Sequence, residues 1–348
     1  MSNVALRRQS NIMMSLLVIL CLLPLFSSLK THPEKNFGDL DAELLGMSAA
    51  ATSKNNQSSF IQMLSSSGGQ TEFEAKYNEL MKHMVSSRPM HQRLHKTGDK
   101  TVIAVCMSST SRHTTTTPTM FQVMMPSLAK SLSPEANVEI WVYINVDEDD
   151  LFNRGGTPGD IQRQAQKMLS NLAVPVQSVF ITTPSHMNFM HKPGPAFNFA
   201  TRAAYEDGAD YMYRANDDTE FDGTWIAPAL ANLRSFNPEN VGVTGPNCEQ
   251  GNTEIMTHDM IHRYHIDIFS FHYPPSLTDW GLDDWISRVY GPIRTKQGPF
   301  HIFHRIDVHG QSYKTSEDWK MHLDVELQKG KATLEAWFRN RNRALSAK

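Results

Sequence analysis

From residue 101 onward, short apolar runs alternate with amphipathic stretches. Thr101–Ser109 is an apolar run ending in small polar residues, which predicts a buried strand followed by a loop. Pro118–Leu132 reads as a helix and Val138–Asn145 as a second strand. A helix over Gly159–Leu172, a strand over Val176–Thr183, a helix over Phe197–Asp207 and a strand over Tyr211–Ala215 follow. Thr224–Phe236 predicts a further helix and Val241–Gly245 a further strand. Strand and helix in alternation define an α/β class, a mostly parallel sheet with helices on both faces. Beyond this the pattern changes. Glu254–Phe271 alternates and is rich in His, Asp and Ile, Leu277–Tyr290 carries acids between tryptophans, and Lys314–Asn342 reads as a helix with a basic end.

The N-terminal part differs. Arg7 and Arg8 precede an uncharged apolar run from Ile12 to Leu29, about 18 residues and just long enough to span a bilayer as a helix. The upstream arginines predict a cytoplasmic N-terminus and a lumenal remainder. A cleaved signal peptide is the alternative, and either reading sends the rest of the chain into the secretory pathway. Residues 31–98 are polar and rich in Ser, Gln and Asn, with a Ser-Ser-Ser-Gly-Gly run at 65–69, as in a flexible stem. Asn56-Gln57-Ser58 is an acceptor sequon, usable only in a lumenal segment. The organisation expected is therefore residues 1–30 as tail and signal anchor, 31–98 as stem and 99–348 as the globular domain.

Composition narrows the classes of function. The formal charge of -3 over 348 residues gives no nucleic-acid footprint. Three cysteines, Cys21, Cys106 and Cys248, without a CxxC pair, argue against a zinc ribbon and a disulfide framework.

Candidate chemistry begins at Asn216-Asp217-Asp218-Thr219-Glu220, at the carboxyl end of its strand, where open α/β sheets place ligands. Adjacent carboxylates repel unless a cation lies between them, and oxygen ligands suit Mg²⁺ or Mn²⁺. An acidic turn is the plain alternative. Asp147, ending the second strand, is placed to accept hydrogen bonds from a ribose or a base; a solvated turn reads equally well. The loop from Ser108 to Thr119, with threonines at 114–117, offers hydroxyls and amides to phosphate. In Trp280-Gly-Leu-Asp-Asp-Trp285, Asp283 and Asp284 lie between indoles that can stack on sugar faces, and a partly desolvated carboxylate there serves as general base. The alternative is a helix N-terminus with acids in its first turn. His258-Asp-Met-Ile-His262 superficially matches a metallopeptidase helix motif, with Asp where Glu is expected, and suggests a lumenal metal-dependent hydrolase as a second reading.

Taken together, these features resemble glycosyltransferases of the GT-A fold, over roughly residues 100–312. Tyr205–Phe221 is similar to that family's metal-motif segment, and Gly242-Val-Thr-Gly-Pro-Asn247 to the strand that follows it. The resemblance implies a Rossmann-like domain with a nucleotide-sugar half (99–223) and an acceptor half (224–348). It also implies Mn²⁺ or Mg²⁺, a UDP- or GDP-sugar donor, and a glycan, protein or lipid acceptor. Asp218 becomes the first metal ligand, and Asp217 holds ribose or contacts the metal through water. Glu220 is the second ligand if the motif is framed as 218–220, since Asn216 occupies the first position of the frame 216–218. A late histidine on the metal falls on His309 or His304, and the base on Asp283 or Asp284. Arg202, on the helix before the metal strand, adds charge near the phosphates. The implied location is a Golgi or endoplasmic reticulum membrane in type II topology. A non-catalytic carbohydrate-binding relative is the reading from another class.

Overall fold

The computed structural model describes residues 72–111, 118–134, 137–153, 157–183, 192–250, 252–308 and 319–346. The expected anchor, the sequon, the threonine run and His309 lie outside these residues. No helix among the described residues is long and apolar enough to cross a membrane.

The described chain is mixed α/β. Its strands are β1 (Thr101–Ser108), β2 (Val138–Asp147), β3 (Val176–Thr183), β4 (Tyr211–Asn216), β5 (Thr219–Asp222), β6 (Val243–Cys248), β7 (Met260–His262) and β8 (Thr295–His304). Its helices are α1 (Glu72–Ser86), α2 (Met125–Ser131), α3 (Thr157–Met168), α4 (Pro193–Asp207), α5 (Ile226–Arg234), α6 (Tyr264–Phe269), α7 (Leu282–Val289) and α8 (Trp319–Ser346). The eight strands form one sheet in the order β3-β2-β1-β4-β7-β6-β8-β5. The pairs β3/β2, β2/β1, β1/β4 and β6/β8 are parallel, whereas β4/β7, β7/β6 and β8/β5 are antiparallel. The mostly parallel sheet expected from the alternation is present.

Runs such as Val102–Met107 are apolar at every position because both faces of the sheet are covered. Ile103, Val105 and Met107 join the core beneath α2, α3 and α5, with Ile140, Val142, Ile144, Tyr213 and Trp225. The alternate residues lie under α4, which packs on β1 and β2, and α1 packs on α4 in turn. Gly208 ends α4 in the left-handed region, with φ of 101°, where a side chain would be strained.

The eighth strand in the order, β5, is joined to β4 by Asp217 and Asp218 alone, although three strands stand between them in the sheet. On a flat sheet four strand spacings amount to about 19 Å. The three virtual bonds from Asn216 to Thr219 reach about 11 Å at most. The sheet therefore curls until its β5 edge returns beside the carboxyl end of β4, and this gathers the ends of β4, β5 and β8 around one turn.

Three elements differ from expectation. Glu254–Phe271 holds only the short β7 and the helix α6. The strands β5 and β8 were not among the expected elements, and β8 contains Gly298 and Pro299. Within the segment expected to be stem, α1 and the residues after it belong to the folded body. Arg88 forms an ion pair with Asp207 at 2.7 Å, both side chains 4% exposed, and Leu94 N–H and Tyr143 Oη–H donate to the same carboxylate at 3.0 and 2.8 Å. Cys106 and Cys248 are both free and buried.

Asp207→Ala leaves the Arg88 guanidinium buried without its partner, which costs about 3–5 kcal/mol. Urea unfolding monitored by circular dichroism is expected to show that loss.

Candidate active site

Parallel register aligns the strand ends. Ser108 of β1 lies between Asn145 of β2 and Asn216 of β4, at the carboxyl edge of the sheet. Asn145 is buried and donates to Ala196 O at 3.0 Å, which ties this edge to the start of α4. Asp150 accepts from Thr110 Oγ1 at 2.7 Å and from Ser111 N–H at 3.0 Å, fixing the chain as it leaves β1.

The acidic turn follows Asn216. Ser109 Oγ donates to Asp217 at 3.0 Å, and both groups are buried. Asp218, also buried, places Oδ1 3.3 Å from His304 Nε2, at the end of β8. The same ring nitrogen lies 3.1 Å from Asn216 Nδ2. The turn is braced from behind: Asn216 N–H donates to Thr219 Oγ1 at 2.8 Å, and that hydroxyl meets His258 Nε2 at 2.7 Å. Arg305 N–H donates to Asp218 O at 3.0 Å. Burial holds His258 well below its ordinary pKa, reinforced by His304 and Arg214, so it supports the turn as a neutral ring.

Asp283 occupies the first turn of α7. Its carboxylate is ion-paired with Arg214 of β4. Burial raises the Asp283 pKa, while Arg214 and His304 oppose the rise. Behind Arg214, Asp259 is fully buried between His272, at 2.6 Å, and the hydroxyl of Tyr273. Burial pushes Asp259 upward, but His272, Arg214 and Tyr273 together hold it below the ordinary carboxylate value.

Several expected site residues are placed elsewhere. Arg202 pairs with Glu206 at 2.6 Å and lies over Tyr205, away from the turn. Glu220 is turned to Arg305 at 2.7 Å. Asp284 accepts from Arg288 at 2.5 Å, on the side of α7 opposite its buried residues. Trp285 does not line an acceptor pocket: it is buried against α8 and donates to Glu326 O at 3.1 Å. His262 ends β7 and His258 precedes that strand by two residues, so the two share no helix face, and His262 packs on Tyr211 and Tyr264. The metallopeptidase reading loses its geometry there. Asp147 lies at the end of β2, two residues beyond Asn145. The sequence assigned no role to Arg214, a charge within an apolar strand, to Ser109 or Thr219, close to the strand ends, to His272, one of several clustered histidines, or to Tyr273, which carried no signal.

Among the described residues, no group of three or more His, Cys, Asp or Glu side chains converges as a metal site. Asp218 and His304 are the two metal-capable donors that meet at the turn. A cavity of about 420 Å³ lies elsewhere, between α3, the start of β3 and residues 91–94, lined by His91, Gln166 and Gln177 among others. It belongs to the opposite end of the strands.

No family model and no curated protein matches the sequence. Among solved structures, the chain is similar to S. aureus TarS 1–349 in complex with UDP, with a TM-score of 0.41, 11% identity and coverage of 66% of this chain and 65% of that one. A nucleoside-diphosphate-sugar pyrophosphorylase from Vibrio cholerae RC9 gives a TM-score of 0.28 and 12% identity, covering 43% of this chain and 57% of that one. A UDP-glucose pyrophosphorylase complexed with UDP-glucose gives 0.27 and 7%, over 69% of this chain and 99% of that one. The chain thus spans less than two thirds of the first two. These are weak likenesses and carry no weight for its function.

Two measurements test the site's support. Thr219→Val leaves Asn216 N–H and the His258 ring without their shared partner, at a cost of about 1–3 kcal/mol, read as a lower urea midpoint. His265 is buried, with Nε2 bonded to His272 O at 3.0 Å and Nδ1 to Tyr290 Oη at 2.9 Å, and burial lowers its pKa to about 3. Between pH 6.5 and 5 the unfolded chain takes up a proton there that the native state refuses. Stability then falls with pH by about 2 kcal/mol from this group, and His265→Phe is expected to flatten the slope accordingly.

Proposed function

We propose that the chain is a glycosyltransferase that binds a nucleotide-sugar donor at the carboxyl edge of β1, β2 and β4. The observation that carries this reading is the meeting of Asp218 and His304 at the curled end of the sheet, next to Asp217 on its serine and within electrostatic reach of Asp283. Ligands of open α/β sheets bind beyond the carboxyl ends of the strands. Here that edge presents Ser108, Asn216 and the acidic turn, and α7 is tied to β4 through the Asp283–Arg214 pair.

Two protein donors do not make a closed metal cage, but they suit a hard cation. Mg²⁺ and Mn²⁺ are commonly held by one or two carboxylates, with water and substrate phosphates completing the shell. Asp218 and His304 would hold it, and its charge would neutralise the leaving diphosphate. Asp217, held by Ser109, would serve the ribose or a metal-bound water. Asp147 is two residues beyond the aligned strand ends, within the nucleotide side of the edge.

Asp283 accepts the proton of the acceptor hydroxyl as that oxygen bonds to the anomeric carbon. The bond from that carbon to the diphosphate breaks, and its electron pair leaves with the phosphate oxygen. This is a single displacement served by one carboxylate. The acceptor is a hydroxyl of a glycan, protein or lipid. The apolar run Ile12–Leu29 and the arginines before it support a lumenal location for this body, behind a signal anchor.

A thermal-shift screen of UDP- and GDP-sugars, with and without Mn²⁺, tests the reading. A donor at a hundred times its Kd stabilises the fold by about 2.7 kcal/mol, and Asp218→Asn is expected to abolish the Mn²⁺-dependent part while keeping the unliganded melting point within a few degrees. Stabilisation by free sugars that needs neither nucleotide nor Mn²⁺ would instead identify a carbohydrate-binding protein.

A further inference from the structure

Asp283 is not an isolated carboxylate. Its ion-pair partner, Arg214, is on β4, three residues before Asp217. The Arg214 side chain is 6% exposed and is surrounded by five groups. Nη1 donates to Thr257 O at 2.6 Å as well as to Asp283 Oδ1. The guanidinium lies 4.6 Å from the centre of the Phe197 ring, on α4, and 5.8 Å from that of Tyr273. Asp259, on the segment entering β7, places a buried negative charge near it. The guanidinium is thus fixed before any substrate arrives.

The two ends of the pair are unequal. In the Arg88–Asp207 pair both side chains are 4% exposed, as expected where the pair only joins two packed elements. Here the arginine is sealed while Asp283 remains 28% exposed. A carboxylate that is tied down at one oxygen and open to solvent at its side is oriented without being consumed by packing.

We propose, resting on the glycosyltransferase reading above, that Arg214 is the positioning residue for Asp283. It couples the strand that carries the acidic turn to the carboxylate that takes the acceptor proton. Arg214 acts in two ways. It fixes the direction of the carboxylate, which a guanidinium does through fixed-geometry donors and an ammonium does not. It also favours the charged form of a group that burial would otherwise keep protonated. The groups facing Asp283 are Arg214 from β4, His304 from β8, and Asp259 and Tyr273 from the segments around β7 and α6. Arg214 and His304 favour its ionisation and Asp259 opposes it. The arrangement also distinguishes the adjacent acids: Asp284 is bound to Arg288 on the other side of α7 and is not part of this pair.

The test uses a nucleotide sugar that binds the wild-type protein, with water as acceptor, and follows release of nucleoside diphosphate between pH 5 and 9. The variants are Asp283→Asn, Arg214→Lys, Arg214→Gln and the double variant Arg214→Gln/Asp283→Asn. Donor Kd is expected to stay within about threefold in all of them. Turnover falls by roughly a hundredfold or more in Asp283→Asn, within the span ascribed to general-base catalysis. Arg214→Gln lowers turnover at least tenfold in the wild-type background and not measurably in the Asp283→Asn background, the signature of two residues acting as one unit. Its acid limb moves to higher pH, because the cation that favoured the carboxylate is gone. Arg214→Lys keeps the acid limb near its wild-type position yet loses turnover. An equal loss from Arg214→Gln in both backgrounds, or a loss with an unmoved acid limb, overturns the proposal. If Arg214→Gln does not fold, Arg214→Lys decides: wild-type turnover there overturns the proposal equally. Donor binding without this coupling removes the role of Arg214 alone, whereas a wild-type protein that binds no nucleotide sugar removes the underlying reading and this role with it.

Discussion

The two-residue connection between β4 and β5 is the constraint on which the rest of the structure depends. Asp217 and Asp218 cannot bridge the width of three intervening strands, so the sheet must return on itself at that point. The curl brings His304 from the end of β8 to Asp218 and sets Thr219 and His258 behind the turn. Residues separated by almost ninety positions meet because one short connection admits no other arrangement.

A turn with two adjacent buried acids is electrostatically expensive, and its surroundings show how the expense is contained. Ser109 donates to Asp217, His304 lies against Asp218, and the backbone beneath is tied through Asn216 and Thr219. A second set pairs Asp283 with the sealed Arg214 and, buried nearby, Asp259 with His272 and Tyr273. Buried charges persist in proteins when they are paired and hydrogen-bonded. Asp283, 28% exposed, and the half-buried Ser108 and Asn216 at the strand ends are where this otherwise sealed polar interior meets solvent.

The first four strands and the helices between them were legible in the sequence, because strands covered on both faces read as continuous apolar runs. Thr219–Asp222 was not, since four residues with two acids look the same in a turn as in an edge strand. Nor was β8, where Gly298 and Pro299 argue against a strand. Without β8 there was no way to bring His304 to the acidic turn ahead of His309. The choice between Asp283 and Asp284 was legible in principle. Leu282, Trp285, Ile286 and Val289 mark the buried face of α7, and at about 100° per residue Asp284 falls opposite that face while Asp283 flanks it. Arg214 interrupts an otherwise apolar strand. A charge in such a position signals a buried partner, but only the packing of α7 shows which one.

If the protein binds a nucleotide-sugar donor as proposed, the donor lies at the curled end of the sheet. Anomalous diffraction from a crystal of the protein soaked with Mn²⁺ and a nucleoside diphosphate measures this directly. A manganese peak is expected beside Asp218 and His304, with the diphosphate lying over the ends of β1 and β4. A diphosphate bound instead in the cavity beside His91 and Gln177, with no manganese at Asp218, would contradict it.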